Sequence, residues 1–336
     1  MATGLTWTVY DADSMTQAEI YGTVLCDLGA MNEKIVGLSA DLAKSTKIGA
    51  FGDKFPGRFF NVGVAEQNLF GVAAGLAKSG LVPFVSTMAA FASMRAAEQV
   101  RTDICYQHLP VKIIATHAGA SFGQAGTTHH CTEDLAIMRS FSGMTVIVPA
   151  DGVETANAVR ACVEWDGPVY IRIGRGFEPR FYEKEDYGFR IGKAVTLSEG
   201  ADITLICCGV TVLPCMEAAK ILKEEDGLSV RVLNMHTIKP IDSEAVLSAV
   251  KDTRRLISFE EHNTLGGLGT AVAEVIARSG KGCAFVPVGI PDCFCEVGYP
   301  EDLYTHYGLD TDGVVAKVRE VMKIEFEADE DWEDEV

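Results

Sequence analysis

Between residues 58 and 68 the chain reads Arg-Phe-Phe-Asn-Val-Gly-Val-Ala-Glu-Gln-Asn, which sets one carboxylate where an apolar run gives way to a helix. The run stops at Gly63, and Glu66 opens a small-residue helical stretch that continues over residues 69–78. Apolar neighbours on both sides disfavour the charged form of such a group, because leaving water costs the ion more than the acid. A carboxyl group in that state can share a proton with a nitrogen heterocycle. An acid at a helix start is also favoured by the helix dipole alone, and the segment by itself leaves the two readings open. His117 and His129 fall in glycine-rich loops after a buried-type apolar run, where binding and proton-transfer groups concentrate.

Two other groupings carry less. His129, His130 and Cys131 are too closely spaced to converge on one tetrahedral metal, and no Cys-x-x-Cys accompanies them. Gly266-Gly-Leu-Gly-Thr-Ala lacks the third glycine of a dinucleotide fingerprint, and Ser258-Phe-Glu-Glu-His-Asn intervenes before it. It reads as the opening of a helix that packs closely on its sheet.

The hydrophobic pattern shows what must hold these groups. Strands are expected at 34–42, 59–62, 82–86, 111–116, 145–148 and 169–173, and helices at 16–31, 65–78, 91–107, 133–141 and 153–164. Continuous apolar strands alternating with helices mean a parallel sheet covered on both faces. Residues 176–190 mix charge, aromatics, Pro and Gly without a period, as a linker does. A second series follows, with strands at 203–208, 230–235, 256–260 and 284–288 and helices at 213–225, 243–250 and 269–278. The expected architecture is two consecutive α/β domains with mostly parallel sheets. Residues 1–13 form an extension, 14–175 the first domain, 176–190 the linker, 191–324 the second domain and 325–336 an acidic tail without order.

Bulk properties narrow the classes. The 336 residues allow two ordinary domains, and 48% hydrophobic residues can fill their cores. No run of 18 uncharged apolar residues suggests a membrane span, and the start has no signal-peptide pattern. Cys207 and Cys208 sit inside an apolar run, and Cys26, Cys105 and Cys162 in helical patterns, so the ten cysteines read as buried free thiols of a cytoplasmic protein. A formal charge of −18 argues against nonspecific nucleic-acid binding, which needs cations to displace counterions.

An ordered set of motifs adds to this reading. It comprises the Glu66 segment, Ser39-Ala-Asp-Leu-Ala-Lys-Ser45, Ser86-Thr-Met-Ala-Ala-Phe91, Thr116-His-Ala-Gly119, His129, Met144-Thr-Val-Ile-Val-Pro-Ala-Asp151, Gly167-Pro-Val-Tyr-Ile-Arg-Ile-Gly-Arg175 and Glu261-His-Asn-Thr-Leu-Gly-Gly-Leu-Gly-Thr270. In that order, across residues 14–322, the chain resembles the transketolase family. The resemblance implies a pyrimidine-binding domain followed by a transketolase C-terminal domain, and thiamine diphosphate as cofactor. It implies that Glu66 hydrogen-bonds the cofactor's aminopyrimidine, that Phe91 stacks on it, and that Asp41 and Leu42 line it. His117 and His129 would lie near the donor sugar and its phosphate, with Arg175 and Ser45 gripping that phosphate. Plainer readings stand beside these: a core Phe91, a turn or helix cap at Asp41, an ion-paired Arg175 and a turn-forming Ser45.

A Gly-Asp-Gly followed by a spaced Asn, which holds Mg²⁺ and the diphosphate in this superfamily, is missing from the sequence. The resemblance therefore implies the second half of a split transketolase. Its partner would be an N-terminal subunit carrying the diphosphate and Mg²⁺, in a heterotetramer. The implied reaction moves a two-carbon ketol unit from a ketose to an aldose. Part of the sugar-phosphate shell departs from the family: Ala125 in Gly123-Gln-Ala-Gly126 replaces an aspartate, Ala18 an arginine, and Met88 and Met94 two aromatics. These changes imply an unusual donor or acceptor. Alternatives are a 1-deoxyxylulose-5-phosphate synthase-like or 2-oxoacid dehydrogenase beta-like subunit, or a noncatalytic interaction subunit.

Overall fold

The computed structural model describes residues 6–176 and 178–324; the acidic run at 325–336 lies outside the described residues. The first sheet is built from β1 (Ile35–Ser39), β2 (Phe59–Asn61), β3 (Val82–Met88), β4 (Lys112–Thr116), β5 (Thr145–Ile147) and β6 (Val169–Arg172). Every residue of β1, β4, β5 and β6 is buried. That explains why these strands read as unbroken apolar runs rather than alternating ones. Two charged residues interrupt these runs: Arg172 at the end of β6, and Lys112, which is fully buried and donates its ammonium protons to the carbonyls of Trp165 and Gly167 at 2.8 and 2.9 Å.

Helices α1 (Gln17–Met31), α2 (Gly49–Lys54), α3 (Glu66–Lys78), α4 (Ala97–Gln99), α5 (Asp134–Ser140) and α6 (Gly152–Val163) cover this sheet. Thr16 and Glu19 form a reciprocal capping box that starts α1. The single helix expected at 91–107 is instead interrupted: Phe91–Arg95 and Val100–Cys105 are π-helical, with α4 between them. Ser93 contributes to the distortion, its hydroxyl donating back to the Ala89 carbonyl at 2.7 Å and competing with the helical ladder.

The second domain contains β7 (Val195–Ser198), β8 (Ile203–Cys207), β9 (Val230–Asn234), β10 (Thr237–Lys239), β11 (Arg255–Asn263) and β12 (Ala284–Ile290). Its helices are α7 (Val212–Glu225), α8 (Ser243–Thr253), α9 (Leu268–Ser279), α10 (Pro300–His306) and α11 (Thr311–Val321). Five strands pair in the order β12-β11-β8-β9-β7, parallel except for the edge strand β7. Strand β10 crosses over and pairs antiparallel with β5, completing a seven-stranded first sheet, β10-β5-β6-β4-β3-β1-β2. Met235 and Ile238 flank and enter that crossing, and they share one core with Val146, Val148, Leu135 and Met138. The two α/β domains are fused by a common apolar seam.

Within the segment expected as a linker, residues 178–190 form an aromatic strap. The rings of Tyr182 and Tyr187 stack 3.7 Å apart, and Phe189 stacks on His236 at 4.3 Å. Residues ahead of the first domain also pack inward, since Trp7 and Ala12 are buried in its core. Strap, α6 and β9 meet on one carboxylate: Glu154 accepts from Tyr187, from Tyr182 and, through both oxygens, from the Asn234 amide. Burial pushes Glu154 up to about 7 despite those bonds, the Asn234 amide being the strongest of them. Burial likewise raises neighbouring Asp151 to about 6.

A carboxyl group held protonated by the fold binds its proton more tightly than the unfolded chain does. Its contribution to stability is therefore complete below the ordinary carboxylate range and is lost as pH rises through about 7. Glu154→Gln removes the titrating group. Relative to Glu154→Gln, the wild-type protein is expected to lose roughly 2–3 kcal/mol of stability between pH 5 and pH 8. Denaturant unfolding of both proteins at the two pH values measures this; parallel curves would refute it.

Candidate active site

All the expected site residues lie beyond the carboxyl ends of the first sheet's strands. Strand β1 is paired on one side with β2 and on the other with β3, so the chain reverses its direction of travel there. Open α/β sheets form ligand crevices at such switch points. Glu66 starts α3 just after β2, His117 follows β4, and Arg175 follows β6.

A line of contacts joins most of them. Glu66 is buried, with both carboxylate oxygens 3.2 Å from the Arg95 guanidinium. The Arg95 guanidinium lies 4.2 Å from the centroid of Phe91. Phe91 meets the edge of His129 at 5.7 Å, His129 meets Phe122 at 5.4 Å, and Phe122 meets His117 at 4.8 Å. Arg175 closes the line with its guanidinium 4.8 Å over Phe122. The expectation of Glu66 among apolar neighbours is corrected by Arg95, which the π-helical turn places one irregular turn beyond Phe91. Planar, delocalised guanidinium groups suit both an aromatic face and a carboxylate.

Ser45, His117 and Arg175 line a single cleft of about 480 Å³ with Lys44, Lys47, Ala18, Met88 and Phe122. Lys47 is paired with Glu19 at 3.1 Å, whereas no carboxylate among the described residues pairs with the side chain of Arg175 or Lys44. The cleft therefore presents unneutralised positive charge. Asp41 and Leu42 stand apart from this line. Asp41 is exposed, takes a left-handed backbone (φ 61°), and pairs its backbone N–H with Asn61 Oδ1 at 2.9 Å. Met94, expected to fill an apolar pocket, is 47% exposed.

His117 is pushed down to about 4, by burial first and then by the positive surroundings of Arg175 and His129. Its imidazole is thus neutral near pH 7, and Nδ1 lies 2.8 Å from the Thr116 hydroxyl. A neutral ring can either take or give a proton. His117 also has φ 57°, a left-handed backbone that a non-glycine residue adopts at a cost. Phe122, Arg95 and Lys44 escaped the sequence reading. The first sits in Ser121-Phe-Gly123 beside the histidine loop and the third beside Ser45, so nearness to those motifs was the available signal.

Beneath the histidine loop lies a buried ion cluster. Arg172 donates to Asp134 at 3.0 and 3.2 Å, while its Nη1 meets Glu261 of β11 at 3.3 Å. The glycines of 266–269 serve the neighbouring acid: the Glu260 carboxylate accepts from the Leu268 and Gly269 amides at 2.6 and 2.8 Å. The start of α9 is thus taken by the protein's own carboxylate.

Residues 13–177 match the transketolase pyrimidine binding domain, and residues 192–314 match the transketolase C-terminal domain. A "putative transketolase C-terminal section" of Methanocaldococcus jannaschii is 44% identical over 306 residues, spanning 91% of this chain and 96% of that one. The chain belongs to the transketolase family. A second family member, a subunit of the apulose-4-phosphate transketolase of Phocaeicola vulgatus, is 39% identical over 89% of this chain and 95% of its own length. Among solved transketolase structures, a split gene transketolase described as an inactive beta4 tetramer superposes with a TM-score of 0.82 at 44% identity. That likeness covers 92% of this chain and 98% of the other.

One glycine beside the cleft is fixed by packing. Gly119 has φ 58°, and a Cβ there would fall inside the Glu261 carboxyl group. Gly119→Ala is expected to cost roughly 2–4 kcal/mol, from backbone strain plus overpacking. Gly80 also has positive φ (89°) but open space around it, so Gly80→Ala should show the strain alone. Equal losses for the two variants in denaturant unfolding would refute the packing argument.

Proposed function

We propose that this chain is the C-terminal subunit of a thiamine diphosphate-dependent transketolase that moves a two-carbon ketol unit from an anionic ketose to an aldose. The observation that carries the reading is the seat made by Glu66 and Phe91. A buried carboxylate and an aromatic face together hold a planar, delocalised, nitrogen-rich cation, the Arg95 guanidinium. An aminopyrimidine makes the same demands: a carboxyl partner for a ring nitrogen and a flat apolar platform. The residues present therefore fit the cofactor. Thiamine diphosphate, when bound, supplies a nucleophilic carbon and an electron sink for carbon–carbon cleavage.

The chain's own groups have the following parts in that reading. Glu66 holds the proton shared with the pyrimidine nitrogen, and Phe91 supports the ring. His117, neutral and buried at the cleft, exchanges a proton with a sugar hydroxyl, and His129 orients a neighbouring oxygen. Arg175, Ser45 and Lys44 hold the terminal anion, where a planar guanidinium is well matched to phosphate. Mg²⁺ and the diphosphate fall to a separate subunit, with two copies of each chain forming the working enzyme. Two relatives that this chain spans almost end to end, one named a C-terminal section and the other a transketolase subunit, support a split enzyme. The phosphorylated sugar in the name of the Phocaeicola vulgatus relative suits the unneutralised cations of the cleft.

Co-expression with a diphosphate-binding subunit and a screen of ketose donors tests the reading. Glu66→Ala should abolish turnover in the reconstituted pair; activity near wild type would overturn the assignment. Arg175→Ala should raise KM for phosphorylated donors by about tenfold or more with a smaller change in kcat. An unaltered KM would remove Arg175 from the anion site. The isolated chain should bind thiamine diphosphate poorly, and turnover by it alone would contradict the shared site.

A further inference from the structure

We infer that Glu261, contributed by the second domain, is a positioning residue that fixes the backbone of the loop carrying His117. That His117 lies in a reaction cleft rests on the function proposed above. Glu261 Oε1 accepts from the buried Ala120 N–H at 2.9 Å and from the Tyr304 hydroxyl at 2.9 Å. Its other oxygen meets Arg172, whose Nη2 also donates to the Glu261 carbonyl at 2.7 Å. Arg172 is itself fixed by Asp134, and Asp134 accepts from the Tyr170 hydroxyl at 2.7 Å. The carboxylate thus has no freedom to swing, and the Ala120 amide is pinned against it.

The loop needs such an anchor. His117 holds a left-handed backbone, Gly119 has no Cβ because Glu261 occupies that space, and Ala120 would otherwise bury an amide without a partner. The same strand fastens the second histidine segment. The Asn263 N–H donates to the Thr132 carbonyl at 2.8 Å, and Gly119 pairs with Cys131 between the two histidines' loops. The end of β11 therefore sets both loops, which is a task for a second domain that places no ring or cation of its own in the line of contacts from Glu66 to Arg175.

Histidine-labelled full-length chain, titrated by NMR of the ring protons, reads the effect without substrate. The His117 ring is faced by Arg175 and His129, with Lys44 and Lys47 on the same cleft, and stays neutral down to about pH 4. His236 is buried in the domain seam near Asp242 and is likewise held at about 4, so it serves as an internal control. In Glu261→Ala the freed loop should admit water and raise the His117 midpoint by at least one pH unit, leaving His236 in place. Loss of a negative charge alone would move His117 the other way. Glu261→Gln keeps an acceptor for Ala120 and loses only the charge, so its His117 midpoint should stay at or below that of wild type. If Glu261→Ala does not fold, Tyr304→Phe, which removes one donor from the same oxygen, should give a smaller rise. The proposal is overturned if His117 does not move in the folded variant, if His236 moves with it, or if Gln shifts as far as Ala. Because the titration needs no turnover, its failure is separable from failure of ketol transfer.

Discussion

The guanidinium of Arg172 is the constraint on which both the domain seam and the cleft depend. It is buried between Asp134 of the first domain and Glu261 of the second, both of them buried too. Taking three charges out of water is repaid only when every remaining lone pair and proton finds a partner. Here they do: Tyr170, Tyr304 and the Ala120 amide donate to the two carboxylates. Two anions share one cation, so the cluster carries negative charge. Nearby Glu178 is pushed up to about 8, by burial and then by Glu261 and Glu301, and so keeps its proton at neutral pH. The cluster is spared a third negative charge.

A second arginine–carboxylate pair obeys the opposite logic. Arg95 meets Glu66 with its own side chain half exposed, and ion pairs of that kind contribute little net stability. It can give way to another planar donor at small cost, whereas Arg172 cannot. The two pairs divide the labour on physical grounds. One is desolvated on both sides and fixes geometry; the other is open on one side and leaves Glu66 available. The π-helical turn at Phe91–Arg95 fits this division, since irregular helical turns of that kind recur at functional sites.

What the sequence made legible follows from which interactions are local. Parallel strands buried on both faces leave unbroken apolar runs, so β1, β3, β4 and β6 could be read directly. Glu66, Phe91, Ser45, His117, His129 and Arg175 fall in the segments that follow strands, and the chain order of their motifs marked them as candidates. Strand β10 could not be read: three residues carry no period, and its partner β5 lies 90 residues away. Nor could the ring of Phe122 or the pairing of Arg95 with Glu66, because both depend on side-chain packing between loops. Glu261 stood inside a quoted motif, yet its bond to Ala120 spans 141 residues and two domains. The strap at 178–190 lacked a period because stacked rings, not a repeating face, hold it in place.

The departures from the family pattern acquire a physical meaning in the cleft. Ala18, where the resemblance implies an arginine, lines it, while Lys44 and Arg175 remain unneutralised and Lys47 is committed to Glu19. Losing one cation narrows the positive zone to the side of Ser45 and Arg175 and leaves Ala18 and Met88 as an apolar wall. Ala125, the other altered position, sits in the short turn Gly123–Ala125 and is not among the residues that line the cleft. On the function proposed above, a substrate suited to such a cleft would keep its anionic end and present fewer hydroxyls to the wall of Ala18 and Met88. An unpaired buried hydroxyl costs about 1–3 kcal/mol, so this wall would discriminate by exclusion rather than by recognition.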